Sequence, residues 1–310
     1  MGKKSNGIAG EDRITRYPPL SAPLSKIIFS KPTNYDSGKE QLFQLTGQFL
    51  QLQDCELYYS VAGSGRPLIL LHGNFNDHRI WDSQANALAQ SYQVIRYDLR
   101  GYGFSGTPSA GYSNVDDLLA VFNHLQLEKA VLIGSSSGGA VAIDFTLAYP
   151  HRVESLILAA PSVSGRSYPL QMTWNGIKNY SAFRSKGAEA AIEAFIQNRF
   201  WQYFFPESHK PAALEQVLSN VRNPNNFCRI SPKLITPPKP PAAKRLQQIK
   251  CPTLLIAGDR DHPYNRSTTD LLQKRIQDAV LTVIADCGHL PFVEEAAQFN
   301  QLVIDFLSKS

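Results

Sequence analysis

The segment Gly134-Ser135-Ser136-Ser137-Gly138 places a serine between glycines two positions before and after it. It follows the apolar run Ala130–Ile133 and precedes a helix-compatible stretch beginning near Gly138, so the local order is strand, tight turn, helix. A nucleophile held at the apex of such a turn needs small neighbours two positions away, which centres it on Ser136 rather than Ser135 or Ser137. A glycine-serine turn with no chemical task has the same five-residue pattern. A serine hydroxyl is a poor nucleophile at neutral pH, so the chemistry also requires a histidine to take its proton and a carboxylate to orient that histidine.

Of the seven histidines, His289 is best placed, because Ala285-Asp286-Cys287-Gly288-His289 is a loop between the last apolar run and the final helical segment. His72 and His262 also border strand ends, one before a loop after Pro67–Leu71 and the other beside a carboxylate. His78, His124, His151 and His209 fall in helical or inserted segments, where packed or solvated roles are expected. The orienting acid should follow the run Thr253–Ala257, where Gly258-Asp259-Arg260-Asp261 offers two carboxylates. Asp261 is preferred, since Asp259 directly follows the strand-ending glycine and can make a turn hydrogen bond or pair with Arg260. Attack on a carbonyl also needs donors for the developing oxyanion, each worth about 3 kcal/mol in the transition state. The Ser137 amide and the Asn74 amide in His72-Gly73-Asn74-Phe75 are assigned to that task, with Phe75 as the donor if the turn is shifted.

These residues need a scaffold that brings strand ends together. Gln48–Gln53 and Glu56–Val61 alternate in hydrophobicity around Asp54-Cys55, predicting antiparallel strands. Pro67–Leu71, Gln93–Tyr97, Ala130–Ile133, Ser155–Leu158, Thr253–Ala257 and Leu281–Ile284 are short apolar runs. Helix-compatible stretches near Ile80–Gln90, Val115–Leu125, Gly138–Tyr149, Thr268–Ile276 and Glu294–Leu307 alternate with them. That alternation predicts a mostly parallel, eight-stranded sheet flanked by helices on both faces. Between Pro161 and Thr253 it is interrupted by an aromatic-rich stretch ending in Pro237-Pro238-Lys239-Pro240-Pro241, read as a mainly helical cap with a stiff return linker. The expected division is a core of residues 43–161 and 247–310, with cap and linker at 162–246. The cap's aromatics have two readings, an apolar enclosure for a small substrate or the cap's own core.

Residues 1–42 form a polar, basic arm, expected to be disordered or loosely packed. They contain no secretory apolar run, and Asn6 stands where a myristoylation signal wants Ser or Thr. No run of 18 apolar residues suggests an integral membrane segment. The net charge of +5 is spread along the chain, which disfavours a nucleic-acid partner. Cys55, Cys228, Cys251 and Cys287 form no Cys-x-x-Cys pair, which disfavours a zinc or dithiol site and fits reduced thiols in the cytoplasm. Oligomeric state is not encoded in any of these features.

Taken together, His72-Gly73-Asn74-Phe75, Asp98-Leu99-Arg100-Gly101-Tyr102-Gly103-Phe104-Ser105, the turn at Ser136, Gly258–Asp261 and Gly288-His289 resemble the α/β-hydrolase superfamily, in family order. The resemblance covers roughly Gly47 to Ser308 and is weakest in the cap. It implies an α/β-hydrolase fold with Ser136, Asp261 and His289 as catalytic triad and no metal or organic cofactor. The Asp98–Ser105 segment is a structural loop in that family. The chain is also similar to the branch of enol-lactonases, carboxylesterases and carbon–carbon bond hydrolases, partly through Pro252–Ile256 and His289–Glu295. Serine at 136 argues against the aspartate nucleophile of haloalkane dehalogenases and many epoxide hydrolases, and Ser137 stands where perhydrolases often carry Met. The expected activity is hydrolysis of a small ester, thioester or lactone. The alternatives are hydrolytic cleavage of a vinylogous diketone and a ligand-binding receptor with a slow triad.

Overall fold

Leu68, Ile69, Leu70 and Leu71 are all fully buried, as expected of a strand covered on both faces. They belong to β3 (Pro67–Leu71), near the middle of an eight-stranded sheet in the computed structural model, which describes residues 46–227 and 231–309. The expectation for the N-terminal arm lies outside the described residues, as does Cys228. The other strands are β1 (Thr46–Gln51), β2 (Glu56–Ala62), β4 (Gln93–Tyr97), β5 (Ala130–Ser135), β6 (Val153–Ala159), β7 (Thr253–Gly258) and β8 (Val280–Ile284). Their order is β1-β2-β4-β3-β5-β6-β7-β8, with β2 antiparallel to β1 and β4 and all later pairings parallel. The strands on either side of the insertion therefore complete one sheet, because β7 pairs directly with β6.

Helices cover both faces. They are α1 (Asp82–Leu88), α2 (Asn114–His124), α3 (Ser136–Ala148), α4 (Leu170–Lys186), α5 (Ala188–Gln197), α6 (Pro211–Val221), α7 (Pro263–Arg275), the short α8 (Pro291–Glu294) and α9 (Ala296–Leu307). The strand's period of two divides the core: Leu68 and Leu70 join the cluster of Trp81, Leu88, Phe292 and Phe299, whereas Ile69 and Leu71 join Phe122, Phe145 and Leu272. Trp81 stacks on Phe292 at 3.9 Å between ring centroids, and Phe122 stacks on Phe145 at 4.9 Å. Each such fully buried apolar side chain contributes roughly 1.5–3 kcal/mol relative to exposure. Among the described residues no helix is long and apolar enough to cross a membrane.

Between β6 and β7 lies the helical cap, with α4, α5, a 3-10 segment at Arg199–Phe204, and α6. Five of its eleven aromatics, Phe195, Trp201, Phe204, Phe205 and Phe227, are buried and join the cluster of Trp81 and Phe292. Phe75, from the loop after β3, inserts among them, with ring centroids 4.4 Å from Phe195 and 5.3 Å from Phe227. A polar clasp accompanies this contact. Asp77 accepts from Asn226 Nδ2 at 2.8 Å and Asn223 Nδ2 at 3.1 Å, while its amide donates to Asn220 Oδ1 at 3.0 Å. Burial works against the Asp77 carboxylate, but the Arg79 guanidinium and Asn226 outweigh it and hold the group well below the usual carboxylate range.

The Asp98–Ser105 loop is braced internally. Asp98 Oδ1 accepts from the His78 amide at 2.7 Å and His78 Nδ1 at 2.8 Å, and Oδ2 accepts from the Phe104 amide at 2.9 Å. Asp77, His78 and Asp98 bring three ligand-type atoms within 4.8 Å of one another, yet these donors already engage both carboxylates. The return linker docks on the helix that follows Ser135: Ser164 Oγ donates to Asp144 at 2.6 Å and accepts from the Ala242 amide at 2.9 Å. Burial pushes the Asp144 carboxyl up to about 6.

Candidate active site

Ser136 opens α3 directly after β5, with φ of 51°, in the left-handed region that an L-residue adopts only when its surroundings impose it. The turn is tight because its glycines abut backbone. A Cβ on Gly138 would lie 2.3 Å from the Leu71 carbonyl oxygen, and one on Gly134 would lie 2.7 Å from the Gly138 carbonyl oxygen. Ser136 is half-buried, and its carbonyl accepts the Ser162 amide at 2.8 Å, tying it to the segment after β6.

Asp261 and His289 stand beyond the carboxyl ends of β7 and β8, at the same edge of the sheet as Ser136. His289 Nδ1 is 2.9 Å from Asp261 Oδ2, and both residues are buried. The other carboxylate oxygen accepts the His262 amide at 2.6 Å and Asn265 Nδ2 at 2.8 Å. Two fixed donors on Oδ1 leave Oδ2 for the imidazole, which then carries its proton on Nδ1 and leaves Nε2 unprotonated. Asn265 Nδ2 also lies 3.1 Å from His289 Nδ1, but two N–H groups cannot bond one another, so Asn265 serves the carboxylate. Asn265 was not anticipated from sequence. Its signal was the spacing Asp261-x-Pro263-x-Asn265, four residues across a Pro-initiated helix start.

Asp259 faces elsewhere. Its Oδ1 accepts the Cys287 amide at 3.2 Å, the turn role open to it from sequence, while Arg260 pairs with Asp286 at 2.6 Å. The two loops approach so closely that a Cβ on Gly258 would meet the Gly288 carbonyl oxygen at 2.2 Å. The other two histidines at strand ends are otherwise engaged. His72 is fully buried between the Gly73 carbonyl at 2.8 Å and the Leu99 amide at 3.0 Å, and burial lowers its pKa. His262 accepts the Tyr264 amide at 3.2 Å, and burial lowers its pKa as well.

Asn74 and Ser137 are adjacent. Asn74 Oδ1 accepts from Ser137 Oγ at 3.1 Å and from the Tyr102 hydroxyl at 2.9 Å, so the loop after β3 is pinned against the start of α3. The next residue, Phe75, has φ of 64°, and its ring is the one lodged in the cap. Early amides of a helix lack intrahelical partners, which leaves the Ser137 amide suited to an anionic oxygen.

The cap also grips the histidine loop. The Tyr203 carbonyl accepts the His289 amide at 2.9 Å, and Phe204 lies 5.8 Å from the imidazole. On the far side of this loop, Lys210 donates to the Asp286 carbonyl at 2.6 Å and to Glu295 at 2.7 Å. Glu294 Oε1 accepts the Gly288 amide at 2.8 Å. Burial pushes the Glu294 carboxyl up to about 7, although the Gly288 amide pulls against it. The native state therefore holds a proton between pH 4.5 and about 7 that the unfolded chain releases, and stability falls as pH rises through that window. Glu294→Gln keeps an acceptor for Gly288 and cannot ionise. In urea unfolding it is expected to be more stable than the native protein by roughly 1–3 kcal/mol at pH 8, the gain shrinking toward zero in mild acid. A variant less stable at pH 8 would mean that the Lys210 pairing outweighs burial.

The model of the alpha/beta hydrolase family matches residues 68–302. An AB hydrolase superfamily protein of Bacillus subtilis, YisY, is 30% identical over 276 residues, covering 84% of this chain and 98% of that one. A 2-hydroxy-6-oxo-6-phenylhexa-2,4-dienoate hydrolase of Comamonas testosteroni is 29% identical, covering 83% of this chain and 92% of its own length. The solved thermophilic esterase of Thermogutta terrifontis superposes with a TM-score of 0.71 at 26% identity, covering 84% of this chain and 98% of that one. With the strand order, the turn at Ser136 and these matches in agreement, the chain belongs to the alpha/beta hydrolase family and is a hydrolase.

Proposed function

We propose that the protein cleaves a small, mostly apolar carboxylic ester, thioester or lactone through an acyl-enzyme on Ser136. The observation that carries this reading is the Asp261–His289 pair, 2.9 Å apart and buried, at the sheet edge where Ser136 is held at positive φ. Ser136 Oγ attacks the carbonyl carbon, and His289 Nε2 takes its proton. The Asn74 and Ser137 amides receive the oxyanion. Collapse of the tetrahedral intermediate breaks the acyl–oxygen or acyl–sulfur bond, with the proton passing from His289 to the leaving group. Water, deprotonated by the same histidine, then releases the acid. Asp261 holds the Nδ1–H tautomer and stabilises the imidazolium.

A second reading, hydrolytic carbon–carbon cleavage of a vinylogous diketone, is favoured by the relatives named as 2-hydroxy-6-oxo-dienoate hydrolases at 29–31% identity. One panel separates the two. Burst and steady-state release from short- and medium-chain p-nitrophenyl esters are followed beside loss of dienolate absorbance from a 2-hydroxy-6-oxo-dienoate. Multiple turnovers on the esters are expected. Turnover of the dienoate alone would establish the second reading, and a single burst without turnover would point to a receptor.

A further inference from the structure

Helix α4 of the cap turns large apolar side chains toward water and buries two asparagines. It buries Met172, Asn175 and Asn179, the two asparagines at 9% and 4% exposure, and turns Leu170, Trp174 and Ile177 outward at 89%, 58% and 53%. Positions i, i+4 and i+7 share one side of a helix, so the three form a single apolar ridge, with Tyr168 and Tyr180 also exposed nearby. The inward polar face is partly satisfied: Asn175 Oδ1 accepts from Asn198 Nδ2 at 3.0 Å, and Asn175 Nδ2 donates to the Gln171 carbonyl at 2.8 Å. Water-facing apolar ridges of this kind mark interaction surfaces.

Along α4 and the segment that leads into it the charges are of one sign, and Glu189 at the start of α5 is the first acid after them. From Ser155 to Ala188 the chain has no Asp or Glu, while it carries Arg166, Lys178, Arg184 and Lys186. Lys178 Nζ lies 5.5 Å from the Trp174 ring centroid, and Arg184 lies seven residues beyond Ile177, two turns along the same side. An apolar ridge with an indole at its centre and flanking cations is the chemistry of a helix that lies in the headgroup region of an anionic bilayer. A second copy docked two-fold on the same ridge would set these cations against one another.

We infer that the outward face of α4 docks the protein peripherally on a bilayer containing anionic lipid, with Leu170, Trp174 and Ile177 inserted and Lys178 and Arg184 at the headgroups. The ridge begins two residues after Tyr168, whose hydroxyl donates to Ser162 Oγ at 3.2 Å, and the Ser162 amide donates to the Ser136 carbonyl. Docking thus sets the cap segment next to Ser136 against a reservoir of apolar solutes. The binding itself holds whatever bond Ser136 acts on.

The full-length protein is tested by flotation and tryptophan fluorescence with vesicles of phosphatidylcholine alone and of phosphatidylcholine with phosphatidylglycerol. Of the three tryptophans, Trp81 and Trp201 are buried, so an emission change reports Trp174. The expected result is a blue shift and co-flotation on the anionic vesicles, weakened by salt. Leu170→Ser/Ile177→Ser keeps the probe, alters only exposed positions, and is expected to lower partitioning at least about ten-fold with thermal stability and soluble-ester turnover unchanged. Three results would overturn the inference. One is an absent blue shift, and another is binding that persists in the double variant. The third is a native protein that elutes as a dimer with Trp174 already shielded from acrylamide, which would assign the ridge to a second copy.

Discussion

Ser136→Ala is expected to lower kcat on the best p-nitrophenyl ester by about 10⁴–10⁶-fold and to erase the burst, with KM changed only a few-fold. Alanine keeps a Cβ, so the backbone at φ of 51° bears the same strain in the variant, and circular dichroism and melting should match the native protein. The loss then reads the missing Oγ rather than a disturbed turn. The residual rate above solvent would come from binding and the Asn74 and Ser137 amides, which the substitution leaves in place. Retention of more than a tenth of the activity would remove Ser136 from the nucleophile's role.

Asp261→Asn should cost about 10³–10⁴ in kcat with the fold intact, because the new amide turns a donor toward His289 Nδ1 or loses its bonds to His262 and Asn265. If the NH2 faces the imidazole, the ring must accept on Nδ1 and protonate Nε2, the atom needed as base. If the amide flips, its NH2 faces two donors it cannot bond. Asp259→Asn touches only the 3.2 Å bond from the Cys287 amide and should stay within about ten-fold of native activity. A reversal of these two outcomes would move the orienting acid to Asp259.

The sheet and its helices were legible because their signals are local. β3 and β4 have the bounds read from sequence, since unbroken apolar runs between polar punctuation leave little freedom at either end. β5 and β7 each run further than expected, through Ser135 and Gly258, because ladder hydrogen bonds extend to residues whose side chains carry no strand signal. The helix after β6 was legible only as part of an aromatic, helical insertion. Its buried asparagines and exposed Leu170, Trp174 and Ile177 invert the pattern on which amphipathic reading depends.

The order of strands and helices, the glycine-bounded turn at Ser136 and the loops that carry Asn74, Asp261 and His289 are all encoded over a few neighbouring residues. Packing of distant segments sets which carboxylate meets His289, that Asn265 holds that carboxylate, that Glu294 sits under the histidine loop, and which cap aromatics are core. Those relations join residues far apart in the chain, 28 positions for Asp261 and His289 and 120 for Phe75 and Phe195, across close backbone approaches. Their distances follow from how the loops and cap pack, and no local periodicity records that packing.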